Sequence, residues 1–208
     1  IAYTIGVTLS GVDAANYQMN GGSSYTGTNG AITQLASVTY TGSNAGGNWS
    51  NPANWTTTGT STVGAIPDLS NVATVIIPVG ANVIYDAAVA GPVTSSVIDN
   101  GNITLNLPTA TTISMPISGT GTVTIANTGA ITLSGNNSYA GGTILAAGSS
   151  LIAGSNNAIS SGAIISNGTS VTPATFSTSG GITLPALNIA GGVTQVARDI
   201  TTAGTQAY

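Results

Sequence analysis

The sequence predicts an all-β chain wound as a solenoid, and three observations carry that reading. Good helix formers are scarce or missing: Glu and Lys are absent and Leu, Met, Gln and Arg are few, while Thr, Val, Ile and Gly dominate. Apolar residues fall in short runs with a period of two. Ile103-Thr104-Leu105-Asn106-Leu107 and Val123-Thr124-Ile125 place aliphatics on one face and Thr or Asn on the other. Pairs such as Asn100-Gly101, Asn136-Asn137, Gly141-Gly142, Asn156-Asn157 and Asn167-Gly168 separate the runs and suit sharp corners.

The chain begins differently from the way it continues. Ile5-Gly-Val-Thr-Leu-Ser-Gly-Val-Asp-Ala-Ala-Asn-Tyr17 reads as strand, turn and strand entry, and Gly27-Thr-Asn-Gly-Ala-Ile-Thr-Gln34 as a turn and a closing strand. This part is too short to hold its own core. Residues 1–36 therefore read as the C-terminal part of a preceding β module and 37–208 as the solenoid, with the boundary near Leu35–Thr39. The most apolar stretch, Val72 to Tyr85, is broken by Pro78, Gly80 and Asn82. It falls short of the ~18 apolar residues a spanning helix needs. The other runs, roughly three to six residues, are shorter than outer-membrane strands. No membrane insertion is expected.

From the middle onward the runs are Val97-Ile98, Ile103–Leu107, Thr111–Ile113, Val123–Ile125, Ile131–Leu133, Thr143–Leu145, Leu151-Ile152, Ala163–Ile165, Ala174–Phe176, Ile182–Leu184 and Leu187–Ile189. A spacing of mostly about 8–12 residues fits a sandwich, a barrel or a solenoid. Short strands, tight alternation and Gly/Asn corners favour the solenoid, at about 20–30 residues per coil. In such a stack each coil pairs its backbone with the coils above and below.

Composition excludes much chemistry. Thr, Ser, Asn and Gly make up half of the 208 residues. The charged residues are Asp13, Asp68, Asp86, Asp99, Asp199 and Arg198, or 3% of the chain, against about 25% in an ordinary domain. With no His or Cys there is no imidazole base, thiolate or zinc ligand set, and no disulfide. One Arg makes no basic patch, so nucleic acid is not an expected partner. Disorder is disfavoured by 41% hydrophobic residues and a net charge of only −4. The chain opens and closes in mid-pattern, as a piece of something longer would.

Three segments carry a family resemblance. Thr8-Leu-Ser-Gly-Val-Asp-Ala-Ala-Asn-Tyr17 resembles the end of the MBG/YDG-type β modules of bacterial exoproteins. Gly119-Thr-Gly-Thr-Val-Thr-Ile, followed by Gly129-Ala-Ile-Thr-Leu-Ser-Gly-Asn-Asn-Ser-Tyr-Ala-Gly-Gly-Thr143, is similar to the autotransporter-associated β-strand repeat. Ile200-Thr-Thr-Ala-Gly-Thr-Gln-Ala-Tyr208 resembles a recurring strand of filamentous-haemagglutinin-like proteins. The resemblance implies a segment of a giant secreted or cell-surface adhesin, exported by two-partner secretion or autotransport. Its shaft would be a right-handed parallel β-helix.

Candidate sites are few. Trp49 and Trp55, both within Asn48-Trp49-Ser-Asn-Pro-Ala-Asn-Trp55, read either as a glycan-stacking platform or as a buried cap on the open end of the solenoid. Thr120-Gly-Thr122-Val-Thr124 has the form of an outward Thr array, but neighbouring runs do not repeat it, and β propensity explains it. Asp86 and Asp99 could lie on adjacent coils as a carboxylate pair, yet no base or cation accompanies them. Asp13 and Asp68 sit in turn contexts. Sequons occur at Asn48, Asn54, Asn102, Asn136 and Asn167. No catalytic residue, cofactor or metal site is expected. The reading is a non-enzymatic shaft of an adhesin serving attachment, aggregation or a biofilm matrix. Its alternatives are a polysaccharide-binding module and a self-assembling extracellular filament. The expected partners are neighbouring modules of the same chain, neutral polysaccharide or surface glycan, and further copies.

Overall fold

A computed structural model describes residues 5–6, 8–11, 14–20, 24–25, 31–59, 63–68, 71–86, 95–127, 129–160, 162–196 and 200–208. Among these residues there is no α-helix. Two single 3₁₀ turns, Ala14–Asn16 and Pro52–Asn54, are the only helical pieces among the described residues. Short strands joined by turns make up most of the rest, and the parallel ones stack as a β-solenoid of about six turns.

The strands fall on three faces, though not every coil has a strand on each. Face A contains Ala31–Tyr40, Val72–Ile77, Ser96–Asp99 and Ile117–Ser118. Face B is an eight-stranded parallel ladder. It runs through Gly47–Asn48, Asn82–Tyr85, Asn102–Leu105, Thr122–Ile125, Thr143–Leu145, Ile164–Ser166, Leu187–Gly191 and Gln206–Ala207. Face C holds Thr111–Ile113, Ala130–Leu133, Ser150–Ala153, Ala174–Thr178 and Thr194–Val196. Thr183–Leu184 and Thr201–Thr202, also parallel, take the place of face A in the last coils. Every run named from Val97 onward overlaps a strand.

The period-two pattern explains the core. On face B, Val83, Ile103, Val123, Thr143, Ile164 and Ile189 are axial neighbours and all are buried. Ile131, Leu151 and Phe176 form a stack on face C, and Val38, Val75, Val97 and Ile117 on face A. The pairs Ile103↔Val123 and Ile131↔Leu151 step by twenty residues, while Leu151↔Phe176 steps by twenty-five. The extra length lies in residues 167–173, where the Thr172 N–H donates to Thr169 Oγ1 at 3.0 Å.

The N-terminal end is built differently. Ala31–Tyr40 is one continuous strand across the expected boundary near Leu35–Thr39. Its first residues pair antiparallel with Tyr17–Asn20, and residues 35–39 pair parallel with Val72–Ile77. Trp55–Thr57 runs antiparallel along the other edge of residues 38–40. An antiparallel strand laid on the first coil covers an edge that would otherwise stay open.

Candidate functional site

Both Trp lie in one loop that folds back over the first coil. Asn51 caps the Pro52–Asn54 turn: its side chain accepts from the Ala53 N–H at 3.0 Å, and Pro52 occupies a position that needs no donor. Asn54 Nδ2 donates to the Asn48 carbonyl at 2.9 Å and closes the loop. Asp86 pins it from the next coil. Its carboxylate accepts from the Ser50 N–H at 3.0 Å and the Ser50 hydroxyl at 2.6 Å.

The rings point inward. Trp49 is 1% exposed and Trp55 0% exposed. Each indole N–H has an acceptor, Pro67 O for Trp49 at 2.7 Å and Trp49 O for Trp55 at 2.8 Å. Buried indoles need such partners. Trp49 meets Trp55 at 4.8 Å between centroids and Tyr85 at 5.0 Å, and Trp55 meets Tyr40 at 5.5 Å, all edge to face. Sugar stacking needs an open ring face, and neither Trp has one. This burial corrects the platform reading of Trp49 and Trp55: the two residues fill the end of the core.

The acids do not gather. Asp68 is part of a local turn, accepting from the Asn71 N–H at 2.8 Å while its own N–H donates to Asn71 Oδ1 at 3.2 Å. Asp86 lies past the end of the face-B strand Asn82–Tyr85. Asp99 lies before the start of the next one, Asn102–Leu105. The strand width of face B separates them, so they form no acid–base pair. Asp13, Arg198 and Asp199 lie outside the described residues. Among the described residues no group of three potential metal ligands occurs.

Asp99 is the unexpected feature, a fully buried acid at the corner between faces A and B. Its Oδ1 accepts from the Gly101 N–H at 3.0 Å, and its Oδ2 has no hydrogen-bond partner. Room for the carboxyl comes from the coil above. A Cβ on Gly121 would lie 2.5 Å from Asp99 Cγ. Burial pushes the Asp99 carboxyl up to about 6, against the lowering effect of backbone hydrogen bonds from Gly101 and Ile103. Burial likewise raises the hydroxyl of nearby Tyr139, which bonds to Thr143 Oγ1 at 2.7 Å.

The outward surface carries no regular array. The outer row of face B reads Ile84, Thr104, Thr124, Ile144 and Ile165. Thr124 donates to Asn102 Oδ1 at 2.9 Å, an ordinary bond between adjacent coils. Of the sequon residues, Asn48, Asn136 and Asn167 are exposed, while Asn54 and Asn102 use their amides within the fold.

No family model, curated protein or solved structure matches the chain.

Proposed function

We propose that the chain is a stiff, non-enzymatic shaft segment of a secreted or cell-surface bacterial adhesin that holds other modules away from the cell. The observation that supports this reading best is the parallel ladder of face B. Eight strands at a spacing of ~4.8 Å give about 34 Å of continuous axial hydrogen bonding. Bending such a stack means opening ladder bonds on one side and compressing aliphatic stacks on the other. The nearly uncharged surface limits ionic contact with other macromolecules. The resemblance of residues 8–17, 119–143 and 200–208 to exoprotein repeats supports the same role. Attachment, aggregation and biofilm-matrix building are the processes such a shaft would serve. Negative-stain microscopy of the full-length protein tests the proposal. A thin rod is the expected image, and a string of separate compact beads would sink it.

A further inference from the structure

The order of faces breaks in one place. In the coils through residues 135–142 and 155–163, the segment in the position of face A contains no strand among its described residues. Face A resumes only at Thr183–Leu184. The gap leaves a groove of about 380 Å³. Ser138, Asn157 and Asn188 are among its polar walls, and Ile159, Pro185 and Ala186 form an apolar patch beside them. Among the described residues no charged side chain lines it.

The groove is preorganised by buried Asn137. The Asn137 N–H donates to the Asn157 carbonyl at 2.9 Å. Its side-chain Oδ1 accepts from the Ile117 N–H at 2.9 Å, and its Nδ2 donates to the Ala158 carbonyl at 2.6 Å. The Asn137 side chain thus adds to the backbone rungs Ser138 N–H to Ile117 O at 2.8 Å and Ala140 N–H to Gly119 O at 2.9 Å, and it fixes the backbone of 157–158. The side chains of Ser138, Asn157 and Asn188 are exposed and make no hydrogen bond with any described residue. Two free amides and a free hydroxyl therefore border a fixed floor.

We propose that this groove binds a neutral saccharide. Its volume lies within the range of small-molecule sites. Asn amides and Ser hydroxyls both donate and accept, as sugar hydroxyls do. The Ile159–Pro185–Ala186 patch suits the C–H face of a pyranose ring. A charged ligand would lose water and gain no counter-ion. A peptide adding as a strand needs free edge donors, but on the face-A edge beside the groove the Thr183 N–H donates to Asn156 Oδ1 at 3.0 Å and Pro185 has no N–H. No aromatic ring is among the described lining residues, so weak binding, with Kd on the order of millimolar, is the expectation. This site is separate from the buried Trp cluster and stands or falls independently of the shaft role.

The test is an NMR titration of the 208-residue chain, reading the side-chain amide signals of Asn157 and Asn188 and, in the wild type and the variant alike, the backbone amide signals of Ser138, Ile159 and Ala186. The probes are neutral tetrasaccharides of glucose, galactose, mannose and N-acetylglucosamine, with tetragalacturonate as the charged comparison. At least one neutral probe is expected to shift both amides saturably, and the exposed Asn157→Ala/Asn188→Ala pair is expected to weaken that binding about tenfold or more. Saturable shifts from none of the neutral probes at about 20 mM would overturn the proposal. So would unchanged binding in the double variant, or tighter binding of tetragalacturonate.

Discussion

The first coil and the middle coils are held in different ways. The first coil depends on particular side chains: four aromatic rings in edge-to-face contact, a capped 3₁₀ turn, and Asp86 clasping Ser50. The middle coils depend on a pattern. Small and medium aliphatics repeat every twenty residues, and the backbone does the rest. An end must satisfy one set of edges with chosen groups, whereas an interior coil inherits its partners from the coils on either side. Substitutions should therefore be costly and specific in the first coil, and tolerant of like-for-like exchange in the middle.

The largest effect is expected at the end. Trp55→Ala removes a fully buried ring and leaves its contacts with Trp49 and Tyr40 open. A loss of about 3–5 kcal/mol is expected from urea unfolding. Glycan binding at the groove should survive in the fraction that stays folded.

The next effect probes the exception among the middle coils. The Asp99 carboxyl is raised from 3.8 to about 6 in the folded chain. The folded state therefore holds this proton more tightly than the unfolded state does. Stability is full below about pH 4, declines as pH rises to about 6, and is flat above that. The span of this decline is at most about 3 kcal/mol. Unfolding measured across this window should show it, and Asp99→Asn should flatten it. Gly121→Ala pushes a methyl group toward the same carboxyl and should cost about 1–3 kcal/mol. Asp99→Ala should relieve much of that cost.

The smallest effect belongs to the outer row. Ile165 is 44% exposed on face B. Ile165→Thr should change stability by no more than about 0.5 kcal/mol, as read from the urea midpoint.

Much of the fold was legible because alternation names the inward residues directly. Ile103, Leu105, Val123 and Ile125 are buried as their pattern predicts. The paired Gly and Asn also mark corners: Gly142 has a positive φ of 84°, while a Cβ on Gly101 or Gly168 would run into the backbone of a neighbouring coil. The number of faces was not legible. Ile117–Ser118 is a two-residue strand, too short for any periodicity to register. Asp99 was not legible as a core residue for a similar reason. The space it occupies is created by Gly121, which lies in the next coil, and no local window joins the two. The groove was hidden more deeply. It arises from a strand that is missing, and Asn137 hides among many Asn until its three hydrogen bonds across coils are seen. Both Trp were legible as unusual, but their direction depended on partners such as Tyr85 and Pro67 that lie in other segments.

The central claim is that residues one coil apart lie side by side. Thr104 and Thr124 are direct parallel neighbours on the outer row of face B. Thr112 is near Thr104 in sequence but sits on face C. The chain has no Cys, so spin labels can be placed at chosen pairs. Strong dipolar broadening is expected in the Thr104→Cys/Thr124→Cys variant, and far weaker broadening in Thr104→Cys/Thr112→Cys. The opposite ranking would contradict the stacked-coil account.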